Sequence, residues 1–233
     1  EIGEATGTEP SALVRSIERR VAAGWSGVGD ERSEADPSTT EWSGSPTAFD
    51  VPLAGVLARG APLIGRRREL TWLESELVQS RSGACRTALV RGEAGIGKTT
   101  LVAALARAHS GRGGVTVAHG RCDDGASVPL QPFRDIIATL VDHAPEDVLK
   151  AHCERFGGEL TRLAPRLGTR LWTPPPSDGD DATDRYQLFE SVADLLRTVA
   201  TGGVLVLVLE DLHWAEPTAL LLLRHLARAL VDV

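Results

Sequence analysis

Methionine is absent from the 233-residue sequence, and Glu1 stands at the first position, so the chain as given does not begin at a start codon. We therefore expect a fragment of a longer protein. Only three cysteines occur, they are widely spaced, and no C-x-x-C pair exists, so the sequence indicates neither a disulfide framework nor a cysteine-based zinc site. We expect these cysteines to be buried or half-buried free thiols.

Long apolar runs are also missing. The longest runs, Val204 to Leu209 among them, have six residues, whereas a membrane-spanning helix needs about 18 or more. The first 20 residues carry four glutamates and no apolar core segment, so we do not expect them to form a signal peptide. The net charge of −7 disfavours direct binding to nucleic acid. We expect a soluble, cytoplasmic protein without membrane contact.

The chain divides near residue 60. Residues 1–60 hold 10 acidic and 5 basic residues, against 22 and 20 in the remainder. Apolar positions of residues 10–24 have helical spacing, and residues 25–60 have the composition of a flexible linker. Because one short amphipathic helix cannot bury its apolar face alone, we expect residues 1–24 to end an upstream domain. The main domain is then predicted to span residues 61–233.

Strand and helix signals alternate after residue 60, which predicts an α/β fold with a parallel sheet and flanking helices. The predicted strands are Thr87–Val90, Val115–Ala118 and Val204–Leu209. The last is uninterruptedly apolar, as in a strand covered on both faces. Helical periodicity predicts helices at 67–80, after residue 98, around 133–141, weakly within 146–171, at 188–199 and from residue 217 to about 231, with a loop at 173–184.

A glycine-rich segment carries the strongest chemical signal. It matches the phosphate-binding pattern G-x-x-x-x-G-K-[ST] in full: Gly92, Glu93, Ala94, Gly95, Ile96, Gly97, Lys98 and Thr99. Glycines let the backbone wrap a phosphate with its N–H groups pointing inward, and the following helix adds the positive end of its dipole. Lys98 would reach the β- and γ-phosphates, and the Thr99 hydroxyl would ligate Mg²⁺.

Two carboxylates follow the apolar strand that ends at Leu209. In a P-loop fold this strand is expected beside the P-loop strand, with its carboxyl end facing the bound phosphates. One of Glu210 and Asp211 would hold Mg²⁺, and the other would orient or deprotonate the attacking water. An acidic cap after a buried strand is the alternative interpretation.

Three further groups admit a simpler explanation. His213 and Trp214 could sense the nucleotide or form a packed structural turn. The run Arg66–Arg68 is predicted to be a solvated basic run before a helix. Asp180, Asp181 and Asp184 lie in a Pro/Gly-rich segment, where a solvated turn is favoured over a metal site.

Together these motifs resemble the ATPase domain of large bacterial regulators in the STAND class of AAA-related signal-transduction ATPases. The resemblance rests on LIGRRREL, GEAGIGKTTLV, GRCDDGASVPLQPF and VLEDLHWAEPTALLLLRHLAR, and it covers about residues 60–231. Such domains occur in LuxR-type regulators, in antibiotic-pathway regulators with an N-terminal BTAD activator domain, and in some adenylate cyclase fusions. More weakly, residues 7–21 resemble the last helix of a BTAD domain.

The resemblance implies an AAA-like three-layer core of five parallel strands, of which the missing ones would lie beyond Val233. It places Gly65 and Arg66 near the adenine or phosphate end of the nucleotide, although Arg67 stands where the family usually has an acidic residue. The glycine-rich segment from Gly92 to Thr99, extended through Thr100, would bind ATP or ADP. Thr99, Glu210 and Asp211 would form the Mg²⁺ site, and Lys98 and Asp211 would be catalytic.

The implied function is an ATP-binding, slowly hydrolysing switch module of a transcriptional regulator. DNA contact would come only through domains absent from this chain, and a second copy of the chain or a signal protein would be the protein partner. The alternatives are an ATPase module fused to a nucleotide cyclase or other signalling enzyme, a small P-loop kinase, and a degenerate scaffold that no longer binds nucleotide. Intact Lys98 and Thr99 argue against the scaffold.

Overall fold

The computed structural model describes residues 49, 51–59, 61–83, 85–125 and 128–230. The predicted N-terminal helix and most of the predicted linker lie outside these residues. Among the helices that are described, none is both long enough and apolar enough to cross a membrane.

Helices and strands follow one another through the described part of the chain. In chain order they are α1 Gly55–Ala58, α2 Arg67–Ser80, α3 Lys98–His109, β1 Val115–Arg121, α4 Gln131–His143, α5 Glu146–Phe156, a 3₁₀ turn Glu159–Arg162, α6 Leu167–Arg170, α7 Asp181–Ala200, β2 Val204–Glu210, a 3₁₀ turn Leu212–Trp214 and α8 Pro217–Ala229. The helices that apolar periodicity predicts after residue 60 are confirmed, and the weak pattern at 146–171 becomes α5, the first 3₁₀ turn and α6.

The two strands form a parallel pair. Val115 lies opposite Val204 and Arg121 lies opposite Glu210, so both strands end at the same edge. This register brings the side chains at the carboxyl ends of β1 and β2 next to each other. The predicted α/β class with a parallel sheet and flanking helices is therefore confirmed.

The prediction of a strand at residues 87–90 is wrong. These residues are extended but outside any ladder, and residues 87–89 are exposed. Within the described residues the sheet has two strands, and the partner of β2 is β1 rather than the segment before the glycine loop. An extended segment without a hydrogen-bonded neighbour gains neither ladder bonds nor burial, so its apolar composition alone does not make it a strand.

Strand β2 contributes to two hydrophobic clusters. Leu205, Leu207 and Leu209 pack against a large core built mainly from α4 to α8, whereas Val204, Val206 and Val208 belong to a small core with α1, α2 and α3. Because successive strand residues point to opposite faces, an apolar side chain is needed at every position. The prediction that helices cover this strand on both faces is thus confirmed.

Helix α1 lies within the segment predicted as a linker. Leu57 of α1 is fully buried in the small core, and Val51 is 3% exposed. The guanidinium of Arg107 on α3 donates to the carbonyl oxygen of Leu57 at 3.0 Å. Helix α1 therefore buries apolar surface against α3.

The predicted loop at 173–184 is shorter than expected. Helix α7 starts at Asp181, and the Asp180 side chain caps it by accepting from the backbone N–H of Thr183 at 2.7 Å. Asp184 accepts from Arg162 at 3.0 Å. Asp180 and Asp181 are exposed, as predicted, but they lie at the start of a helix rather than in a turn. Within the described ranges, no group of His, Cys, Asp or Glu residues could hold a metal ion by itself.

The three cysteines are free thiols in different environments. Cys122 is buried and Cys153 is half-buried, as predicted, whereas Cys85 is exposed. Cys85 directly precedes the exposed residues 86–89. The expectation of burial is therefore wrong for Cys85, because the segment that carries it has not joined the sheet.

Candidate functional site

The glycine loop connects the extended segment at residues 85–90 to helix α3. Gly92, Gly95 and Gly97 have φ values of 154°, 76° and 91°, a range that side-chain-bearing residues rarely adopt. Gly97 is the N-cap residue of α3. The loop is exposed, and free N–H groups at the start of a helix are a favourable place for an anion.

Lys98 extends along this loop. Its ammonium donates to the carbonyl oxygens of Gly92 at 2.8 Å and Glu93 at 2.9 Å. These contacts hold the positive charge beside the glycine backbone rather than in bulk solvent. The geometry matches a cation that meets phosphate oxygens bound by the loop.

Thr99 joins the glycine loop to the end of β2. Its hydroxyl donates to Glu210 Oε1 at 2.5 Å, a contact between residues 111 positions apart in the chain. The Glu210 side chain is 14% exposed. The first turn of α3 and the carboxyl end of β2 therefore form one site.

His119 occupies the other oxygen of the same carboxylate. Its Nε2 atom lies 3.0 Å from Glu210 Oε2, and its side chain is only 12% exposed. The sequence reading overlooked His119. Its position could have indicated a place in the site, because His119 lies near the carboxyl end of β1, and β1 runs parallel to β2.

Asp211 turns away from Glu210. Its φ of 56° places it in the left-handed region, where Asp is tolerated better than most residues. The Nε of Arg121 donates to Asp211 Oδ2 at 3.0 Å. Arg121, which the sequence reading also overlooked, is opposite Glu210 in the ladder. The two adjacent acids thus have separate partners.

Cys122 follows these residues but is unsuited to be a nucleophile. Its side chain is 3% exposed. Burial, together with the negative charges of Asp211 and Asp123, raises the pKa of the Cys122 thiol to about 11. It therefore stays protonated at neutral pH, and its backbone N–H donates to the carbonyl oxygen of Glu210 at 3.1 Å.

Glu216 fixes the chain that leaves the site. Its carboxylate accepts from the N–H groups of Thr218 at 2.7 Å and Ala219 at 2.8 Å, which caps α8. It also accepts from the N–H of Leu130 at 3.1 Å, just before α4.

His213 and Trp214 lie between Asp211 and this cap, with ring centroids 4.9 Å apart, and both are exposed. The two rings therefore lie next to each other at the surface instead of packing into the core.

Gly65 and Arg66 lie at the start of α2. Gly65 has a φ of 75°, and Arg66 is the N-cap residue of the helix. No hydrogen bond or ion pair among the described residues connects them to the glycine loop. Arg67 and Arg68 are exposed, as expected for a solvated basic run.

The residues present fit a magnesium nucleotide. The hydroxyl of Thr99 and the carboxylate of Glu210 are close together, and oxygen atoms of this kind are the ligands that Mg²⁺ prefers. The glycines with positive φ and the ammonium of Lys98 match the needs of a phosphate chain. The arrangement defines the class of nucleoside triphosphate-binding proteins with a P-loop.

Comparison with known proteins names the family. The AAA ATPase domain family matches residues 62–231, most of the chain, so the chain belongs to this family. Over 189 residues the chain is 26% identical to an uncharacterized protein of Rhizobium meliloti (strain 1021). The alignment covers 72% of this chain and 17% of that protein's length. No solved structure matches significantly.

Proposed function

We propose that this chain is the ATP-binding switch module of a bacterial transcriptional regulator, with slow hydrolysis of ATP to reset it. The observation that carries the proposal is the contact between Thr99 and Glu210, which joins the glycine loop to the acidic end of β2. Membership of the AAA ATPase domain family indicates nucleotide binding and supports this interpretation.

In the proposed site, the loop from Gly92 to Gly97 binds phosphates through its N–H groups, and Lys98 neutralises their charge. Thr100 continues the set in the first turn of α3. Thr99 and Glu210 would hold Mg²⁺, and Asp211, the next residue in the chain, is the third member of the proposed metal set. When bound, the ion neutralises charge on the phosphate oxygens.

Asp211 serves in this proposal as the base. The water oxygen bonds to the γ-phosphorus while the bond to the bridging oxygen breaks, and Asp211 accepts the proton of the water. ADP keeps the bonding electron pair, and inorganic phosphate is the second product. Gly65 and Arg66 are proposed at the adenine or phosphate end of the same nucleotide.

The regulatory context is inferred from the resemblance of the motifs to large bacterial regulators. A switch requires that ATP bind one conformation more tightly than another, so that binding shifts the population. DNA contact through other domains, and pairing with a second copy or a signal protein, belong to this proposal. The Rhizobium relative is uncharacterized and adds nothing to it.

Titration of the chain with a fluorescent ATP analogue and Mg²⁺ tests the proposal. We expect saturable binding that Lys98→Ala weakens by about 100-fold, the loss of charge-assisted hydrogen bonds worth about 3 kcal/mol. Lys150→Ala is a matched control, since Lys150 is the other lysine of the sequence and is 60% exposed in an ion pair with Glu146 on α5. It should bind like the parent chain.

Equal binding by the Lys98 and Lys150 variants would refute the proposed site. A folded chain that binds no analogue would favour the degenerate scaffold. Release of inorganic phosphate without an acceptor would support the ATPase over the small kinase, because a kinase transfers the γ-phosphoryl group to another molecule.

A further inference from the structure

A hydroxyl and an imidazole contact the two oxygens of one carboxylate. The Thr99 hydroxyl donates to Glu210 Oε1 at 2.5 Å, and His119 Nε2 lies 3.0 Å from Glu210 Oε2. The side chains of His119 and Glu210 are only 12% and 14% exposed. An imidazole nitrogen therefore lies beside the two oxygen groups that the proposed function assigns to the metal ion.

The spacing of the imidazole and the carboxylate suits a shared ion. Two neighbouring ligands of an octahedral ion, each about 2.1 Å from it, lie about 3.0 Å apart. His119 Nε2 and Glu210 Oε2 have this separation. Both atoms can therefore bind one ion without a large movement of either side chain. A neutral imidazole offers the lone pair of Nε2 when its ring hydrogen is on Nδ1.

These side chains form only part of a coordination shell. Among the residues that the structure describes, no three His, Cys, Asp or Glu side chains are grouped to hold an ion. Thr99, His119 and Glu210 together leave about half of an octahedral shell for other ligands. Phosphate oxygens of a nucleotide at the adjoining glycine loop would supply these ligands. The ion is therefore expected to bind only together with a nucleotide.

The donor atoms also select the kind of ion. Mg²⁺ prefers oxygen ligands, whereas imidazole is a ligand typical of first-row transition ions. The affinity of a site with nitrogen and oxygen donors rises from Mn²⁺ through Co²⁺. A hydroxyl, a carboxylate and an imidazole therefore favour a divalent transition ion over Mg²⁺.

We propose that His119 is a ligand of the metal ion that accompanies the nucleotide, and that the site binds a first-row divalent transition ion more tightly than Mg²⁺. This inference rests on the proposed function and names the class of ion at that same site. His119 supplies the nitrogen donor, and Thr99 and Glu210 supply the oxygen donors.

Calorimetric titration of Co²⁺ and of Mg²⁺ into the chain loaded with ADP tests this inference. We expect the ratio of the two affinities to exceed that of free ADP by about tenfold, because an imidazole replaces a water on the ion. His119→Gln should return the ratio to that of free ADP and leave the Mg²⁺ affinity within about twofold. His143→Gln is the matched control, since His143 is exposed on α4, with Nδ1 2.9 Å from the carbonyl oxygen of Thr139. It should keep the preference for Co²⁺.

Electron spin echo spectroscopy of Mn²⁺ bound with ADP gives a second readout, which the parent chain alone provides. A chain labelled with ¹⁵N-histidine should show coupling between the ion and ¹⁵N, because a directly bound nitrogen shares spin density with the ion. The labelled His119→Gln chain should lose this coupling, and the labelled His143→Gln chain should keep it. Thermal unfolding of both variants shows whether they are folded.

An affinity ratio equal to that of free ADP, or no coupling to histidine nitrogen in the parent chain, would overturn the inference. Parallel losses of Mg²⁺ and Co²⁺ affinity in His119→Gln would also contradict it, since His119 would then act only through Glu210. Co²⁺ binding that needs no ADP would place the ion elsewhere and would contradict it as well.

The Lys98→Ala variant distinguishes this inference from the proposed function. ADP binding that this variant leaves unchanged would refute the proposed function and, with it, the role of His119. Lys98-dependent binding of ADP without a preference for Co²⁺ would refute only the role of His119.

Discussion

Glu210 and Asp211 are consecutive residues whose side chains reach different partners. Glu210 contacts Thr99 and His119, whereas Asp211 contacts Arg121. The left-handed backbone of Asp211 separates the two carboxylates. The sequence predicts an acidic pair after a buried strand, but the division of partners depends on one backbone angle and on the neighbouring strand.

Gly120 illustrates a residue whose function is to allow close packing. A Cβ atom added to it would lie 1.9 Å from the carbonyl oxygen of Pro132, which belongs to the first turn of α4. The absence of a side chain therefore allows α4 to approach β1. Gly120 opens the GRCDDGASVPLQPF motif, whose sequence does not by itself show that α4 packs on this residue.

We predict that Gly120→Ala destabilises the domain by about 2 kcal/mol or more, because α4 must shift away from β1 to relieve the overlap. Urea unfolding followed by circular dichroism measures the change. Gly168→Ala is the matched control. A Cβ there meets nothing closer than 3.8 Å, within helix α6. A neutral or stabilising effect is expected for that variant, and equal losses in the two variants would contradict the packing argument.

At the scale of elements, apolar periodicity was sufficient for the helices. Helix α4 buries a stripe that includes Phe133, Ile136, Ile137 and Leu140, each at most 1% exposed. Such spacing selects a helix locally. The segment at 87–90 shows the opposite case, since a strand exists only where another strand pairs with it. Its apolar residues could not reveal which neighbour, if any, they meet.

Glu216 provides a test at the scale of one helix. Its carboxylate accepts hydrogen bonds from two N–H groups of α8 and from the N–H of Leu130 before α4. Loss of a side-chain cap costs about 1 kcal/mol, and an additional buried hydrogen bond costs about 1 kcal/mol more.

We therefore predict that Glu216→Ala lowers the free energy of unfolding by about 2 kcal/mol. Asp180→Ala, which removes a cap with one N–H contact at α7, should have a smaller effect. Glu216→Gln retains an acceptor oxygen and should recover part of the loss. Hydrogen exchange at Thr218, Ala219 and Leu130 locates the effect, and unchanged exchange at all three in Glu216→Ala would disprove it.

For the molecule as a whole, a buried polar cluster joins α5 to α7. His152 is fully buried, with Nδ1 2.8 Å from Asp194 Oδ2 and Nε2 3.2 Å from the Ser191 hydroxyl. Arg155 donates to both oxygens of Asp194, at 3.0 and 2.8 Å. Burial lowers the pKa of His152, although the contact with Asp194 opposes this effect and Arg155 adds to it.

The pKa of Asp194 is also lowered. Burial raises it, but hydrogen bonds from Arg155 and His152 outweigh burial. For His152, a folded pKa below the unfolded value of about 6.5 means that the unfolded chain binds the proton first as pH falls. Its contribution to stability is complete above that pH and declines below it. Asp194 adds its own loss only at more acidic pH, which begins as the pH falls below the unfolded pKa of about 3.9 and is complete once the lowered folded pKa is passed.

We predict that the free energy of unfolding falls between pH 7 and pH 5, by at most about 1.4 kcal/mol per pH unit from His152. Urea unfolding at several pH values measures the slope. His152→Gln retains polar atoms but does not titrate, so the slope should be smaller in this variant. The same slope in both proteins would assign the acid sensitivity to other histidines.

The motifs and periodicities already specify an α/β domain with a glycine loop, its lysine and threonine, and an acidic strand end. These features are local, since turn conformation, helical spacing and phosphate chemistry depend on residues close together in the chain. The contacts of Glu210 with Thr99 and His119, of Arg121 with Asp211, and of α4 with Gly120 are different in kind. They join residues distant in sequence through strand register and helix packing, and that long-range geometry arises only when the chain folds.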